Sequence, residues 1–287
     1  MERAEVRKYQ MAQLEILKVF DKKCRELGCD YYLAFGTLLG AIRHSGFIPW
    51  DADVDVAMFR NDYEKIKGYF MSNPVPELFY EHYETEKCHL SPHAVLKIKG
   101  THVYFNRQSS SKYKPQYDGI YIDIFPIDNV LPDESMQIKQ TRTIASIRRI
   151  VSLKAAPVYD KTSPIKKMGK QLVSLLLAPI SFRCLYEKAD RVMKKYNDLE
   201  TEQVAILTDP HVFKKQLFPR EVFGKPKTID FENCSFMVPQ DAERFLKIRY
   251  GDYMRLPTEE ERWAYLDETL KDVDYGNTNF LRELKKV

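Results

Sequence analysis

Apolar residues recur along this chain at two different periods, and the switches between them mark out its elements. Over residues 3–27, Met11, Leu14, Leu17, Val19 and Phe20 recur among charges and Gly28 follows, which predicts an amphipathic helix that stops there. Residues 30–35 are rich in aromatics and predict a short strand, and residues 37–43 (TLLGAIR) predict a short helix starting just after Gly36. Acidic and apolar residues alternate from 53 to 56 and apolar residues continue to 59, which predicts a strand over 53–59. Residues 61–70 predict a helix capped by Asn61, with Glu64 completing a capping box. Beyond Pro74 and Pro76, residues 78–83, 94–98, 103–106 and 119–125 predict further strands.

From residue 135 to about 200 the pattern turns helical and basic, with Arg142, Arg148, Arg149 and Lys154 in its first half, as for a cap over a site. Residues 186–197 predict another helix, 225–238 a hairpin or paired strands, and 240–250 a terminal helix. The expected fold is α+β: a mixed sheet flanked by helices over residues 1–134, then a helical portion with a short β hairpin over 135–287. The longest apolar run, residues 172–182 (LVSLLLAPISF), is too short to span a bilayer and contains Pro179. It reads first as a buried helix. The second reading is a peripheral membrane contact, favoured by Lys161, Lys166, Lys167 and Lys170.

With 287 residues, 44% of them hydrophobic, the chain is long enough to bury a sizeable core. A net charge of +4 argues against a dedicated nucleic-acid binder. The five cysteines form no CxxC pair and are odd in number, which argues against zinc and disulfide frameworks and for a reducing compartment. The first residues are charged and helix-periodic without an apolar signal core, so a cytoplasmic location is expected, at the inner face of the membrane if the basic apolar run binds lipid.

The candidate chemistry centres on Asp51, Asp53 and Asp55, spaced two apart. If residues 53–56 form a strand, Asp53 and Asp55 share one face and Val54 and Val56 the other. Paired carboxylates repel, and a hard divalent cation such as Mg²⁺ or Mn²⁺ relieves the repulsion while creating a phosphate-binding site. A solvated acidic turn is the competing reading. Against it stand the apolar flanks, Phe47, Ile48 and Trp50 before and Val56 to Phe59 after, which place the cluster at the edge of a core. Upstream, the order strand, Gly36-Thr37, helix sets backbone N–H groups at a helix start, where the dipole favours anions. Asp123 lies in an otherwise apolar strand and is the candidate third metal carboxylate; Asp128, after Pro126, reads as a turn residue or helix cap.

FGTLLGAIRHSGFIPWDADVDV (residues 35–56), YIDIFPID (121–128) and RYGDYMRLPTEEER (249–262) together resemble the LicD family, in the fukutin-related group of polymerase beta-like nucleotidyltransferase folds. The resemblance implies a Gly-Thr turn, an Asp-x-Asp strand and a third Asp, mapping onto Gly36, Thr37, Asp53, Asp55 and Asp123. It also implies transfer of a phosphorylated small group, often phosphocholine from CDP-choline, to a hydroxyl of a cell-surface glycan or its lipid-linked precursor. The family commonly shows WDDDID where this chain has Ala52, which strand alternation should point away from the metal.

In phosphoryl transfer, positioning and charge stabilisation do most of the work. Asp53, Asp55 and Asp123 are the expected metal carboxylates, Gly36 and Thr37 the groups that orient the donor diphosphate of CDP-choline or another CDP-alcohol, and Arg43, His44 and Lys97 the candidates to neutralise the departing nucleotide. Asp51 or Asp123 would take the acceptor's proton. Each cation has a plainer reading: Arg43 a helix-end charge, His44 a turn former, Lys97 an edge-strand residue. Transfer of NMP from an NTP to a phosphorylated acceptor would fit the same centre, and a binding module with a decayed centre is the non-enzymatic alternative.

Overall fold

The computed structural model describes residues 3–105, 113–155, 163–209, 213–262 and 270–281. The helical periodicity at the start of the chain forms α1 (Arg3–Leu27), whose buried face includes Val6, Ile16, Leu17 and Phe20. After Gly28, with φ +60°, a two-residue strand β1 (Tyr32–Leu33) leads into α2 (Phe35–His44), then β2 (Asp55–Phe59), α3 (Arg60–Ser72), β3 (Leu78–Glu81), β4 (Ala94–Ile98), β5 (His102–Phe105) and β6 (Tyr121–Val130). Three helices follow, α4 (Glu134–Ala155), α5 (Pro164–Leu176) and α6 (Phe182–Met193). Then come β7 (Gln203–Ala205), β8 (Leu217–Pro219), α7 (Arg220–Phe223), β9 (Lys227–Phe231), β10 (Cys234–Val238), α8 (Ala242–Tyr250) and β11 (Leu270–Asp274).

These elements build a mixed α+β fold. The main sheet runs β1-β2-β6-β4-β3, with β7 on the far end of β6 and β8 beside β7. Only β2 and β6 among its pairs are parallel, and their register sets Asp55 directly beside Asp123. Strand β6 is long enough to serve two neighbours in turn: β4 pairs with it as far as Ile124, and β7 takes over at Asp128. Pro126 falls in the gap between them, where a residue without an N–H is tolerated. The sheet thus crosses residue 134, because β7 and β8 continue it. An aromatic block ties the later chain to the earlier: Phe218 stacks on Phe245 at 4.5 Å, and Phe245 lies 6.1 Å from Phe35.

Several expectations are corrected. Strand β2 starts at Asp55, so Asp53 precedes it, although the Asp123 N–H still donates to the Val54 carbonyl at 2.8 Å. Helix α2 starts at Phe35 rather than after Gly36. No capping box opens α3: Phe59 occupies the N-cap without a side-chain bond, and Glu64 instead pairs with Lys67 and Lys194, both at 2.6 Å. Strand β5 pairs with β11, outside the main sheet, and Asn106, expected at its end, lies outside the described residues. Asp128 is neither turn nor cap. It is a fully buried strand residue that accepts from Arg60 Nε at 2.8 Å and Nη2 at 2.6 Å and from Asn197 Nδ2 at 2.6 Å. Residues 172–182 are not a buried helix: α5 ends at Leu176, α6 begins at Phe182, and Leu172, Leu175 and Leu176 are exposed.

Candidate functional site

Gly36, Trp50, Asp51, Asp53 and Asp55 line a cavity of about 480 Å³ together with Asp209, Arg249, Tyr250 and Glu261. Its acidic side is held up by α1. The helical spacing of Gln10 and Gln13 puts both amides on one buried face. Gln10 Nε2 donates to the carbonyls of Ile48 (3.0 Å) and Asp51 (2.8 Å), while Gln13 Nε2 donates to those of Ala52 (2.9 Å) and Tyr121 (3.0 Å). Residues 48–52 are irregular backbone, so these bonds replace the ladder that a strand would have supplied. Ala52 packs in the core and does not line the cavity.

Asp51 lies against the start of α2. A β-carbon on Gly36 would collide with its Oδ2, so only glycine lets this carboxylate reach the helix N-terminus. The residue before it is strained: Phe35 has φ +45°, a left-handed conformation costly for an aromatic residue. It is held by the Phe125 ring at 5.2 Å and by the Arg249 guanidinium 4.6 Å over its face. Burial pushes the Asp51 carboxyl up to about 6, opposed by the Ala52 and Asp53 N–H groups and by Arg43.

Asp55 is buried, and its carboxyl is pushed well up, first by burial and then by Asp53, Asp123, Asp51 and Asp209. Its backbone N–H donates to Thr37 Oγ1 at 2.8 Å, which pins α2 to the start of β2. Asp53 and Asp123 also push up the buried Tyr9 phenol, after burial itself. Asp123 Oδ1 is 3.0 Å from His93 Nε2; the His93 ring lies 4.1 Å from that of Phe125, and its Nδ1 is buried without a hydrogen-bond partner. The charge of this group suits a divalent cation, since a positive ion would relieve the repulsion that lifts Asp55. A ready-made centre is a different matter: among the described residues, no three His, Cys, Asp or Glu side chains converge to hold a metal ion.

The structure therefore gathers Gly36, Asp51, Asp53 and Asp55 at one cavity, with Asp123 beside Asp55. It commits Thr37 and Lys97 elsewhere and leaves Arg43 and His44 near Asp51 and Trp50, beside the cavity. The Thr37 hydroxyl is spent on Asp55 and does not line the cavity. Lys97 donates to Glu81 Oε2 at 2.5 Å and to the Tyr117 carbonyl at 3.0 Å, so its anion is a protein carboxylate. Arg43 donates to His44 Nε2 (3.0 Å) and to the Tyr253 carbonyl (3.1 Å). His44 lies edge-on to Trp50 at 5.8 Å, and Arg262 covers Trp50 at 4.8 Å. Burial lowers the His44 imidazole, helped by Arg43 and Arg262.

Sequence reasoning missed Asp209, Gln10, Gln13 and His93. Asp209 is an isolated carboxylate in a loop and carried no spacing signal; it accepts from Arg249 Nη1 at 2.5 Å. That bond, with the one from Arg43 to Tyr253, fastens the 249–262 segment over the cavity, where Gly251 (φ +71°) ends α8.

Comparison with known proteins matches residues 28–151 to the family model LicD/FKTN/FKRP, nucleotidyltransferase domain. The chain is 30% identical over 269 residues to the lipopolysaccharide cholinephosphotransferase LicD of Haemophilus influenzae, spanning 91% of this chain and 96% of that protein. Shorter similarities join it to the mouse ribitol-5-phosphate transferase FKTN, 40% identical over 50 residues (17% of this chain, 11% of that protein), and to human ribitol 5-phosphate transferase FKRP, 46% over 44 residues (14% and 9%).

Proposed function

Because the chain belongs to the LicD family, we propose that it is a metal-dependent phosphotransferase with a nucleotidyltransferase-like core. It moves phosphocholine, or a related phospho-alcohol, from a CDP-activated donor to a hydroxyl of a cell-surface glycan or its lipid-linked precursor and releases CMP. The observation that carries this reading is the cavity in which Asp51, Asp53 and Asp55 meet the glycine start of α2. A relative matched over 96% of its length is a lipopolysaccharide cholinephosphotransferase, which supports the glycan acceptor.

Asp53 and Asp55, with Asp123 beside them, are the carboxylates that would hold Mg²⁺ or Mn²⁺, and such an ion would neutralise donor phosphate charge. Asp51 is the residue suited to accept the acceptor hydroxyl's proton. Raised to about 6, its carboxyl is a stronger base than an ordinary aspartate while still ionised near neutral pH. As that proton moves to Asp51, the acceptor oxygen forms its bond to the phosphorus bearing the alcohol. The bond from that phosphorus to the bridging oxygen breaks, and CMP leaves with the electron pair. Arg262, over Trp50 at the cavity's edge, and Arg43, whose charge interacts with Arg262 and Asp51, would offset the charge of the leaving nucleotide. CDP-choline is the first donor to test, with glycerol, ribitol and ethanolamine phosphates as the related cargoes.

The test is CMP release from CDP-choline with Mg²⁺ and a panel of glycan acceptors, beside CDP-ethanolamine, CDP-glycerol and CDP-ribitol. Acceptor-stimulated CMP from one donor supports transfer and names the cargo. Pyrophosphate release from an NTP, with none of the CDP-alcohols consumed, would replace this reading with NMP transfer.

A further inference from the structure

Helix α5 is mounted inside out. Ile165, Met168, Leu172, Leu175 and Leu176 recur at spacings of three and four, so they form one stripe along the helix. Every one faces solvent: they are 79%, 67%, 59%, 65% and 71% exposed. The opposite side, carrying Lys167, Lys170 and Ser174, is the one turned toward the body of the protein. A latch of polar bonds sets this orientation. The buried Lys154 of α4 donates from Nζ to the carbonyls of Leu177 (3.2 Å) and Ala178 (3.0 Å), just past the end of α5, and its own carbonyl accepts from Ser174 Oγ at 2.6 Å. Rolling the stripe inward would break these bonds and leave the buried Lys154 ammonium with the Tyr113 hydroxyl, 3.3 Å away, in place of two carbonyls. A stripe of this size on a soluble surface marks a contact site.

Charge decides what kind of contact. Between Glu134 and Glu187 the sequence carries ten lysines and arginines against a single acidic residue, Asp160; of the ten, Lys154 is buried in the latch and Lys167 and Lys170 lie on the inward side of α5. Lys166 is exposed beside the stripe, and Lys139 and Arg142 line a shallow groove on α4; Lys161 lies outside the described residues. An apolar stripe set in a basic surrounding suits a surface that is apolar below and anionic above, which is a bilayer of acidic phospholipid. No helix among the described residues is long and apolar enough to cross a membrane, so the contact would be in the interface plane.

We propose that α5 seats the protein on anionic membrane, its apolar stripe inserted among the acyl chains and the basic α4–α5 surface against the headgroups. This does not depend on which group the enzyme transfers. The experiment is co-sedimentation of the full chain with vesicles of equimolar phosphatidylglycerol and phosphatidylcholine, and with vesicles of phosphatidylcholine alone. The wild-type protein should partition to the anionic vesicles. The variant carrying Leu172→Gln, Leu175→Gln and Leu176→Gln, whose changes lie on the exposed stripe, should keep its melting temperature and lose at least about tenfold in partitioning. In the unmodified protein, amide hydrogen exchange over residues 164–176 should slow when anionic vesicles are added. Absence of partitioning, partitioning unaltered in the triple variant, or unchanged exchange would each overturn the proposal. So would a dimer in solution that the triple variant converts to monomer, since a second copy would then cover the stripe.

Discussion

Asp51 Oδ2 occupies the space that a β-carbon on Gly36 would need, so the acidic loop and the start of α2 fit each other only with glycine at position 36. Gly36→Ala should push the Asp51 carboxylate off the helix start with little effect on the core. We expect transferase activity to fall about 100-fold, the scale associated with misplacing a reacting group by about an ångström. Steady-state kinetics alongside a thermal melt would separate this from unfolding; activity within a few-fold of wild type would show that the contact does not position Asp51.

Lys97 belongs to the fold and not to the donor. Its ammonium is paired with the buried Glu81. Lys97→Met should lower stability by about 3 kcal/mol, the low end for breaking a buried pair, since His89 stays 2.9 Å from the Glu81 carboxylate. Donor KM should stay within about twofold of wild type, the pattern of a residue that does not touch substrate. Urea unfolding and a donor titration check the two halves, and a large rise in donor KM would restore Lys97 to the site.

Asp128 joins α3 to β6 through its two bonds from Arg60, and Arg60 also donates to Asp190 of α6 at 3.0 Å. Asp128→Ala should cost about 3 to 5 kcal/mol by urea denaturation, because the guanidinium stays buried with half its partners gone.

His82 makes stability sensitive to acid. Burial lowers its imidazole to about 2, with the charges of His89, Lys67, Arg60 and Lys194 acting in the same direction, against an ordinary value of 6.5. Between these values the unfolded chain binds a proton that the folded one refuses. The stabilisation is therefore complete above about pH 6.5 and is lost as pH falls, by at most about 1.4 kcal/mol per pH unit from this group. His82→Gln should flatten that part of the stability profile relative to wild type; parallel profiles from pH 7 to pH 4 would contradict it.

Much of the site was legible because its signals are local. Asp51, Asp53 and Asp55 alternate within one short stretch, and Gly36 precedes a helix, so spacing alone brought them forward. Asp123 followed from being a carboxylate in an apolar strand, and the parallel register of β2 and β6 sets it beside Asp55. What spacing could not reveal depends on long-range partners. Asp128 read as a turn residue because its counter-ion, Arg60, lies 68 residues away. Lys97 looked like an anion seeker, and it is one, but Glu81 answers it. Residues 172–182 read as a core helix since hydrophobicity says how apolar a segment is, not which way a latch such as Lys154 turns it. Gln10 and Gln13 were hidden for a related reason: in a charged amphipathic helix a glutamine carries no sign that it reaches a loop some forty residues on.

Phosphocholine transfer can be watched directly by ³¹P NMR of the purified protein with CDP-choline, Mg²⁺ and a glycan acceptor, compared with Asp55→Asn. We expect a phosphodiester signal and CMP to appear one for one, and a loss of at least about a thousandfold in the variant, whose buried carboxylate is then gone from the acidic group. Phosphodiester formation at an undiminished rate in Asp55→Asn, or pyrophosphate as the product from an NTP, would contradict it.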